Sequence, residues 1–500
     1  MGDMEKMTIR KKLLGGVAAL AAAGCAYLPS VGPDYEQVDF EIPATPLPDA
    51  GMPTTNRTEI GEYKVAEGAE DLRVEISTNS ITAWWNRFDD PVLTNLVASA
   101  VDGNRTYLMA VERLAQSRWT LLGSYAAFLP KLGFSASATR SERGPNTSSM
   151  WSSRSKLHRD VFSTGFDASW EIDIFGGSRR ATEAAWADAM AAGWNLSDAW
   201  VSLTAEVARR YIDLRTTQQR IAVARTNLVL QSETYDILKS RLDSGIGDEL
   251  AVNQSKYVVD QTHARIPPLV AQEEKLKNSL AVLAGKMPGS LHDELTICPQ
   301  RDWIIAPVKF SSIPLDMLRA RPDVRKAERE FAAEVARIGV AKSLWYPKFY
   351  INGTLGLESV KSHKLFERDA LFGSIGPSIS WPIFRGGSIY ANVKAQEARM
   401  HEKCLAYELA LQEAYAEVRD VYASYTQEYH RYQALQGAVK AAQDAVSIAK
   451  DLYKNGLRDF TAVIDAQRSL LNLEEELVVS RGQITQNAIS LFKALGGGAE

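Results

Sequence analysis

The sequence predicts a mixed α and β fold, in which short amphipathic strands of a membrane barrel continue into very long α-helices. Three observations lead to this prediction. Two stretches of roughly 65 residues contain no proline, four short segments alternate apolar and polar residues, and the two halves of the chain resemble each other. Together these patterns are typical of a chain that repeats one unit of helices and strands.

The composition excludes several classes of protein. The 500 residues carry a formal net charge of −4, so nothing electrostatic favours binding to nucleic acid. Three cysteines, Cys25, Cys298 and Cys404, are too few for a disulfide framework. The six histidines show no metal-ligand spacing, and the motifs of zinc proteases, phosphate-binding loops and serine hydrolases are absent from the sequence. We therefore predict that the protein is not an enzyme and binds no metal.

The first 24 residues have the features of a secretory signal. Basic residues at positions 10–12 precede a short apolar run, and small residues then precede Cys25. This ending resembles a bacterial lipobox, in which Cys25 becomes the lipidated first residue, although Ala22 stands where a leucine is usual. Ala26 is not an aspartate, and the usual sorting rule then indicates the outer membrane. A plain signal peptide with a chance cysteine is the alternative interpretation.

The two halves of the chain match at an offset of roughly 210 to 220 residues, which indicates an internal duplication. Three pairs of segments match in the same order, and each contains distinctive aromatic, proline or glycine residues. Each half is therefore predicted to contain a helix, two strands, a long helix, a turn and a second helix. The matched pairs are 128–132 with 345–349, 170–178 with 381–388, and 244–248 with 455–459.

Four segments alternate apolar and polar residues with the period of two that is typical of strands. The clearest extends from Phe162 to Ile174, and its counterpart in the second half extends from Ile375 to Ile383. Pro377 and Pro382 weaken that second strand, because each removes a hydrogen-bond donor. The other two strands are predicted within residues 132–139 and 349–357.

The strands suit a barrel with an apolar surface towards lipid and a wet lumen, and the polar segment 143–160 would then be extracellular. A soluble sandwich is the alternative interpretation of the alternation. Four strands are too few for either structure, because a barrel needs about eight. Three chains would supply about twelve strands and leave no open edge. We therefore predict a trimeric, twelve-stranded transmembrane barrel with four strands from each chain.

The two proline-free stretches are predicted to be single helices, from Ser178 to about Asp243 and from Gly387 to about Asn455. Each would span roughly 100 Å at about 1.5 Å per residue, so it must pack along its length in a bundle, a cylinder or a tether. Return helices are expected after each turn, and we expect Pro267–Pro268 to interrupt the first. The first long helix carries a coiled-coil seam of Leu203, Val207, Tyr211, Leu214, Ile221 and Leu228.

Three sequence runs resemble the TolC family of outer-membrane ducts. They are residues 84–93 (WWNRFDDPVL), 318–324 (LRARPDV) and 453–467, which begins Tyr-x-x-Gly and ends Val-Ile-Asp-Ala-Gln. The similarity covers nearly the whole chain after about residue 30, and the lipid-anchored exit ducts of drug and metal efflux pumps look closest. The resemblance implies that the twelve-stranded barrel lies in the outer membrane and continues into a long α-helical periplasmic barrel. It also implies a small mixed α/β equatorial belt around that helical barrel.

The resemblance and the internal repeat together predict five segments. Residues 1–24 are the signal peptide, and residues 25–83 form a lipidated N-terminal arm and part of the belt. Residues 84–295 are the first repeat and residues 317–500 are the second. Residues 296–316 link the two repeats within the belt.

The resemblance implies a passive exit duct of a tripartite efflux system, through which small molecules leave the periplasm. The implied partners are two further copies of the chain, a periplasmic adaptor protein, an inner-membrane pump and outer-membrane lipid, with no nucleic acid. No cofactor is expected apart from the covalent lipid on Cys25. Two alternatives stay open: an exit duct for a type I protein secretion system, which the lipobox disfavours, and a non-transporting envelope tether. The amphipathic strands argue against the tether, because a tether needs no barrel.

The turns between the long helices and the return helices would form the periplasmic tip of the duct. The first turn contains Gly245 and Asp248, and the second contains Gly456 and Asp459. Glycine suits a turn that requires a positive φ, so the two glycines also have a purely structural explanation.

Three residues near the second turn match the gate of the family. Tyr453 and Arg458 match gate-linking residues, and Asp465 matches an aspartate of the ring that lines the constriction. Three copies of Asp465 close together would repel one another and favour cations. The alternatives are a solvated surface charge for Asp465, and tip packing or adaptor contact for the other two. The sequence departs from the family at Ala462 and Ala251, where some members have acidic residues.

Overall fold

The computed structural model describes residues 30–37, 83–142, 158–296 and 315–497. Cys25, Cys298, the signal segment and most of the predicted linker lie outside these ranges, as do residues 143–157 of the predicted extracellular loop. The predictions made for those segments stay predictions.

The described elements follow the order predicted for each half of the chain. The first half contains α1 (Pro91–Gly103), α2 (Arg105–Tyr125), β1 (Lys131–Glu142), β2 (His158–Ile172), α3 (Gly177–Asp243) and α4 (Glu249–Leu283). Two short helices follow, α5 (His292–Thr296) and α6 (Leu315–Arg319). The second half contains α7 (Pro322–Ser343), β3 (Lys348–Ser359), β4 (Leu371–Ser380), α8 (Ser388–Lys454) and α9 (Phe460–Ala494).

The helices confirm the internal repeat in detail. Both long helices, α3 and α8, contain 67 residues, and both return helices, α4 and α9, contain 35. The predicted seam of α3 is buried from Leu203 to Ile221, whereas Leu228 at its end is half-buried. Within the described ranges, no helix combines the length and apolar character needed to cross a membrane.

The expected interruption of the first return helix at Pro267–Pro268 is wrong. The helix α4 continues from Glu249 to Leu283 with both prolines inside it. A proline inside a helix costs about 3 kcal/mol, because it removes a hydrogen bond and crowds the preceding turn. Tertiary packing offsets this cost, since α4 buries Val258 before the prolines and Leu269 and Leu276 after them.

The four strands form one antiparallel sheet in the order β1-β2-β3-β4. The register places apolar residues opposite one another on neighbouring strands. Phe134 pairs with Phe166, and Phe166 pairs with Leu355. Two strands end earlier than the alternation predicts, β2 at Ile172 and β4 at Ser380. Pro377 is accommodated inside β4 because this strand lies at an edge of the sheet, where a missing donor is tolerated.

The chain divides into two compact units. The sheet unit comprises Met1–Asp39, Leu114–Ala192 and Ala327–Tyr407, and the hairpin unit comprises Phe40–Arg113, Gly193–Lys326 and Glu408–Glu500. The sheet unit holds all four strands, and the hairpin unit holds both turns between long and return helices. The five-segment division predicted from the repeat and the resemblance stays a prediction.

The main core of the hairpin unit explains the conspicuous run at residues 84–93. Trp84 is 1% exposed and stacks on Phe492 of α9, with ring centroids 5.5 Å apart. Asp90 caps α1 by accepting hydrogen bonds from the backbone N–H groups of Val92 (3.0 Å) and Leu93 (3.4 Å). The buried hydroxyl of Tyr211 on α3 donates to the same carboxylate at 2.6 Å. The run therefore ties α1 to helices from both halves of the chain.

The run at residues 318–324 fixes the end of α9. The guanidinium of Arg321 donates to the backbone carbonyl of Ala494 at 2.6 Å, and to the carboxylates of Asp323 at 2.8 Å and Glu417 at 2.7 Å. A helix leaves its last carbonyl groups without partners inside the helix, so this buried arginine satisfies one of them. The physical role of the motif is thus to anchor the C-terminal helix.

Candidate functional site

The two faces of the sheet differ sharply in chemistry. Because side chains alternate across a strand, the register places one set of apolar residues on a single face. Many of them are largely exposed in the single chain, with Ile375 at 83% and Leu132 at 72%. The apolar face carries Leu132, Phe134, Phe162, Phe166, Trp170, Phe349, Ile351, Leu355, Leu371, Ile375 and Ile379. Such a face requires an apolar environment such as lipid.

The opposite face of the sheet is polar and hydrogen-bonded from strand to strand. Ser135 donates to Asp167 at 2.9 Å, and Lys348 donates to Glu171 at 2.8 Å. Hydroxyl and amide groups continue this pattern in the pairs Ser137–Ser163, Ser169–Asn352, Asn352–Ser378 and Thr354–Ser374, at 2.8 to 2.9 Å. The sheet therefore separates a wet side from an apolar side, as the alternation of the sequence predicts.

Tryptophan side chains mark the ends of the strands next to the helices. The indole N–H of Trp170 donates to the carbonyl of Phe128, and that of Trp381 donates to the carbonyl of Trp345, each at 3.0 Å. The two hydrogen bonds occupy equivalent places in the two repeats. Tryptophan with one polar contact and one apolar surface is enriched at the interface between membrane and water.

The two turns between long and return helices have the same backbone structure. Gly245 has a φ of +78° and Gly456 a φ of +70°. In each turn the residue after the glycine donates its N–H to a carbonyl five residues earlier, Ile246 to Arg241 and Leu457 to Leu452. This is the Schellman arrangement that ends a helix, and it needs a left-handed residue at the glycine position.

The two predicted tip aspartates, Asp248 and Asp459, follow the turns and occupy the N-cap positions of the return helices. The carboxylate of Asp248 accepts a hydrogen bond from the N–H of Leu250 at 3.0 Å at the start of α4. Asp459 occupies the same position before α9, but its side chain makes no capping hydrogen bond. Both carboxylates are exposed.

Tyr453 is half-buried, and its ring packs against other residues of the hairpin unit. Its ring meets Phe460 edge to face with centroids 5.2 Å apart, and the guanidinium of Arg241 lies 5.8 Å from its centroid. Phe460 belongs to a small buried cluster with Leu238, Ala251 and Val463. Ala251, which departs from the family pattern, therefore serves packing here.

Arg458 and Asp465 are both exposed, and neither forms an ion pair with another residue of the described ranges. The structure of one chain thus brings Tyr453 together with Arg241 rather than with Arg458. Arg241 was not among the residues selected from the sequence. Its position in the last turn of α3, where a basic residue is favoured by the helix dipole, is the one sequence signal that points to it.

The fold and the sequence agree with those of known proteins. The family model of the outer membrane efflux protein matches residues 113–286 and 314–497. The chain belongs to the outer membrane efflux protein family. It is 27% identical to nodulation protein T of Rhizobium leguminosarum bv. viciae over 487 residues, which cover 97% of this chain and 93% of the relative.

Two further proteins indicate the same kind of molecule. The toluene efflux pump outer membrane protein TtgF of Pseudomonas putida is 27% identical over 483 residues, with 96% of this chain and 95% of the relative covered. The solved outer-membrane channel OprN is similar in structure, with a TM-score of 0.81, 29% identity, and coverage of 93% of this chain and 99% of that one. The protein is therefore an outer-membrane component of efflux transport.

Proposed function

We propose that three copies of this chain form the exit duct of a tripartite efflux system, through which small molecules pass from a periplasmic pump and adaptor to the exterior. The observation that carries this proposal is the sheet, which has an apolar face, a hydrogen-bonded polar face, and edge strands β1 and β4. A four-stranded sheet with an exposed apolar face is not stable as a membrane structure by itself, because its edges leave backbone groups without partners.

Pairing of β4 of one chain with β1 of the next would satisfy those edges. Three such pairings close twelve strands into a barrel with the polar face inside and the apolar face towards lipid. The long helices α3 and α8 would continue this barrel into the periplasm, surrounded by a small mixed α/β belt. The passage would be passive, since a duct of this kind has no energy source of its own.

A lipid on Cys25 would hold each chain in the outer membrane. The support for this proposal is the short apolar signal followed by small residues and a cysteine. The acyl chains would add about 0.8 kcal/mol of membrane affinity for each buried CH₂ group. No other group bound to the protein is needed for transport.

The turns at Gly245 and Gly456 would form the periplasmic end of the duct, where the adaptor docks and the pore narrows. Asp465 lies little more than one helical turn after the start of α9 and is exposed, so three copies are free to line a constriction. Tyr453 and Arg458 flank the second turn and would take part in closing it. Within one chain, Arg241 of α3 also contacts the ring of Tyr453. This contact would either persist or break when the pore opens.

Single-channel conductance of the purified protein in planar bilayers tests this function. We expect stable cation-selective steps, and we expect Asp465→Ala to reduce the selectivity because it removes three negative charges from the constriction. Asp243→Ala is a matched control, because Asp243 is an exposed carboxylate at the end of α3 and is not predicted to line the pore. Trimers that resist SDS until heated are the expected assembly.

The outcomes separate the parts of the proposal. Steps of unchanged selectivity in Asp465→Ala would retain the duct and reject Asp465 as a constriction residue. Equal loss of selectivity in Asp243→Ala would point to a general effect of charge rather than to a ring. Verified, inserted trimers that never conduct would contradict the duct.

A further inference from the structure

A groove in the sheet unit combines an apolar wall with polar groups. It has a volume of about 350 Å³ and lies between the first turns of α3, the last turns of α7 and the start of α8. Small residues of α3 form the apolar wall together with Val340 of α7 and Leu344, the residue that follows α7. The polar lining consists of Asp188, Arg337, Asn392 and Gln396. We call this site the α7 groove.

The groove offers hydrogen-bond acceptors, and its one arginine is already engaged. The guanidinium of Arg337 donates to Asp188 and to Glu334, each at 2.5 Å. In contrast, the side-chain oxygen Oε1 of Gln396 is buried and accepts no hydrogen bond from the described residues, and the same holds for Oε2 of Glu334 beside the groove. A buried acceptor without a donor is unfavourable, so this site favours a ligand that carries N–H groups.

The charges around the groove favour a cation. Three carboxylates, Asp188, Glu330 and Glu334, lie beside the groove, and Arg337 and Lys403 form ion pairs with them. Burial raises the pKa of Asp188 above its ordinary value despite Arg337, and Glu334 and Glu330 raise it further. An additional positive charge would relieve this repulsion between carboxylates.

The opposite face of α7 is covered by residues 30–37, which we call the N-terminal strap. The hydroxyl of Tyr35 donates to Glu328 at 2.9 Å, and its ring meets Phe331 edge to face at 5.6 Å. Gly32 lies so close to α7 that a Cβ on it would be 2.5 Å from Cα of Gly339. Asp34 also forms an ion pair with Arg180 of α3 at 2.5 Å.

Helix geometry places the strap and the groove on different sides of α7. Each residue of an α-helix turns by about 100°, so Arg337 points about 200° away from Gly339. Val340 and Ala341 lie about one turn after Arg337, on the same side of α7, and both line the groove. The strap and the groove therefore cannot both face the same compartment if α7 forms part of a wall one helix thick.

The strap identifies which side is outside. Ser30 is five positions after Cys25, a distance of at most about 18 Å for an extended chain. In the proposed duct the lipid on Cys25 lies in the membrane around the pore, so the strap must run along the outer surface. The groove on the other side of α7 then opens into the lumen. This step depends on the proposed function and on lipidation of Cys25.

We propose that the α7 groove is a lumenal binding site for small organic cations that carry N–H donors on a compact apolar body. Gln396 accepts a hydrogen bond from the ligand, the carboxylates of Asp188 and Glu334 compensate its charge, and the wall of Val340, Leu344 and small residues contacts its apolar part. Three such sites in a trimer give exported cations a weak stopping point inside the duct.

Equilibrium dialysis of detergent-purified trimers against benzylammonium tests the site, with neutral benzyl alcohol as the matched probe. We expect benzylammonium to bind at least fivefold more tightly than benzyl alcohol. Gln396→Leu is expected to weaken benzylammonium binding about fivefold, since one hydrogen bond is lost. Ala181→Trp places a large side chain from an exposed position of α3 into the groove and is expected to abolish binding.

The controls are Gln412→Leu and Ala398→Trp, which make the same changes at exposed positions of α8 outside the groove. Both are expected to bind benzylammonium as the wild type does. Equal binding of the two probes, or equal loss of binding in the controls and the groove variants, would overturn the proposal.

A cysteine variant tests whether the α7 groove opens into the lumen of the duct. Ala181→Cys treated with a bulky maleimide is expected to lower single-channel conductance by at least a third, whereas identically treated wild type is unchanged. Complete labelling with unchanged conductance would place the groove outside the lumen and overturn that assignment. A wild-type protein that does not conduct at all would instead contradict the exit duct itself, and the dialysis result would stand independently.

Discussion

The two turns that end the long helices have one backbone and two different sets of side chains. Gly245 and Gly456 share a positive φ and the same pair of backbone hydrogen bonds. Beyond the backbone they differ, because Asp248 caps its helix through the side chain and Asp459 does not. The duplication thus kept the backbone geometry of the turn, while the side chains at corresponding positions diverged.

The difference is clearest at the first residue of each return helix. Glu249 begins α4 and is exposed, whereas Phe460 begins α9 and is 5% exposed in a cluster that includes Leu238 and Val463. Tyr453 packs on Phe460, whereas the corresponding position in the first turn is Leu242, which has no aromatic ring. We therefore expect the second turn to be the more stably packed of the two.

The largest expected effect is that of Phe460→Ala. Removing a buried phenylalanine leaves a cavity and costs about 3 kcal/mol or more, so we expect a clear fall in the thermal midpoint and loss of protection in the second turn. Hydrogen exchange of the two turns measures this directly. Glu249→Ala is the matched control and should leave the midpoint within error. Equal effects of the two variants would show that the packing asymmetry has no energetic consequence.

A smaller and symmetric effect is expected for Gly245→Ala and Gly456→Ala. A Cβ at either position meets no atom within 4 Å, so the cost is the strain of a left-handed alanine alone, about 1 kcal/mol. Denaturant midpoints of the two variants should agree with each other. A cost at one turn that is several times the cost at the other would contradict the conclusion that the backbones are equivalent.

Asp248→Ala and Asp459→Ala should destabilise their helices by different amounts, because only Asp248 makes a capping hydrogen bond through its side chain. Loss of the Asp248 cap removes one hydrogen bond to the backbone and is expected to cost about 1 kcal/mol of α4 stability. Asp459→Ala removes no such hydrogen bond, and we expect it to cost only a few tenths of a kcal/mol of α9 stability. Hydrogen exchange in the first turns of α4 and α9 measures both, and a larger loss in α9 would be the contrary result.

The smallest expected effect is a dependence of thermal stability on pH. It arises at a position where the two long helices differ, because α3 has Asp213 where α8 has Ser424. Burial raises the pKa of Asp213 although Gln486, Arg210 and Arg209 partly counteract it, and Glu206 raises it further. A raised pKa favours the protonated form in the folded state, so its stabilising contribution is present at low pH and is lost as pH rises through the folded pKa. Asp213→Asn should therefore raise the thermal midpoint relative to wild type more at pH 7 than at pH 4. Ser424→Asn is the control, and the same dependence on pH there would exclude Asp213 as its source.

Patterns with a strict period were readable from the sequence. The alternation around Phe166 and Leu355 predicted the strands and their faces, and the proline-free stretches predicted the long helices within a residue or two. The positive φ expected at Gly245 and Gly456 is confirmed, because glycine has a local reason to occupy such turns. In contrast, the local rule for Pro267–Pro268 failed, since it ignores burial of the residues on either side.

The roles of Tyr453, Arg458 and Asp465 around the gate follow from the resemblance and stay predictions. The contact of Arg241 was not predictable from the sequence, because its partner Tyr453 is more than 200 residues away along the chain. The same is true of Asp90 and Tyr211, whose hydrogen bond joins positions 121 residues apart. No local pattern reports such a pair.

The sequence by itself determined the repeat, the strands with their two faces, and the long helices, because each depends on neighbours within a few residues and on solvent. Only the tertiary structure decided that α4 continues through two prolines, that the second turn is packed by Phe460, and that the strap and the α7 groove lie on different sides of α7. The reason is physical: these features depend on burial and close approach between distant segments, and a local pattern does not encode which segments will meet.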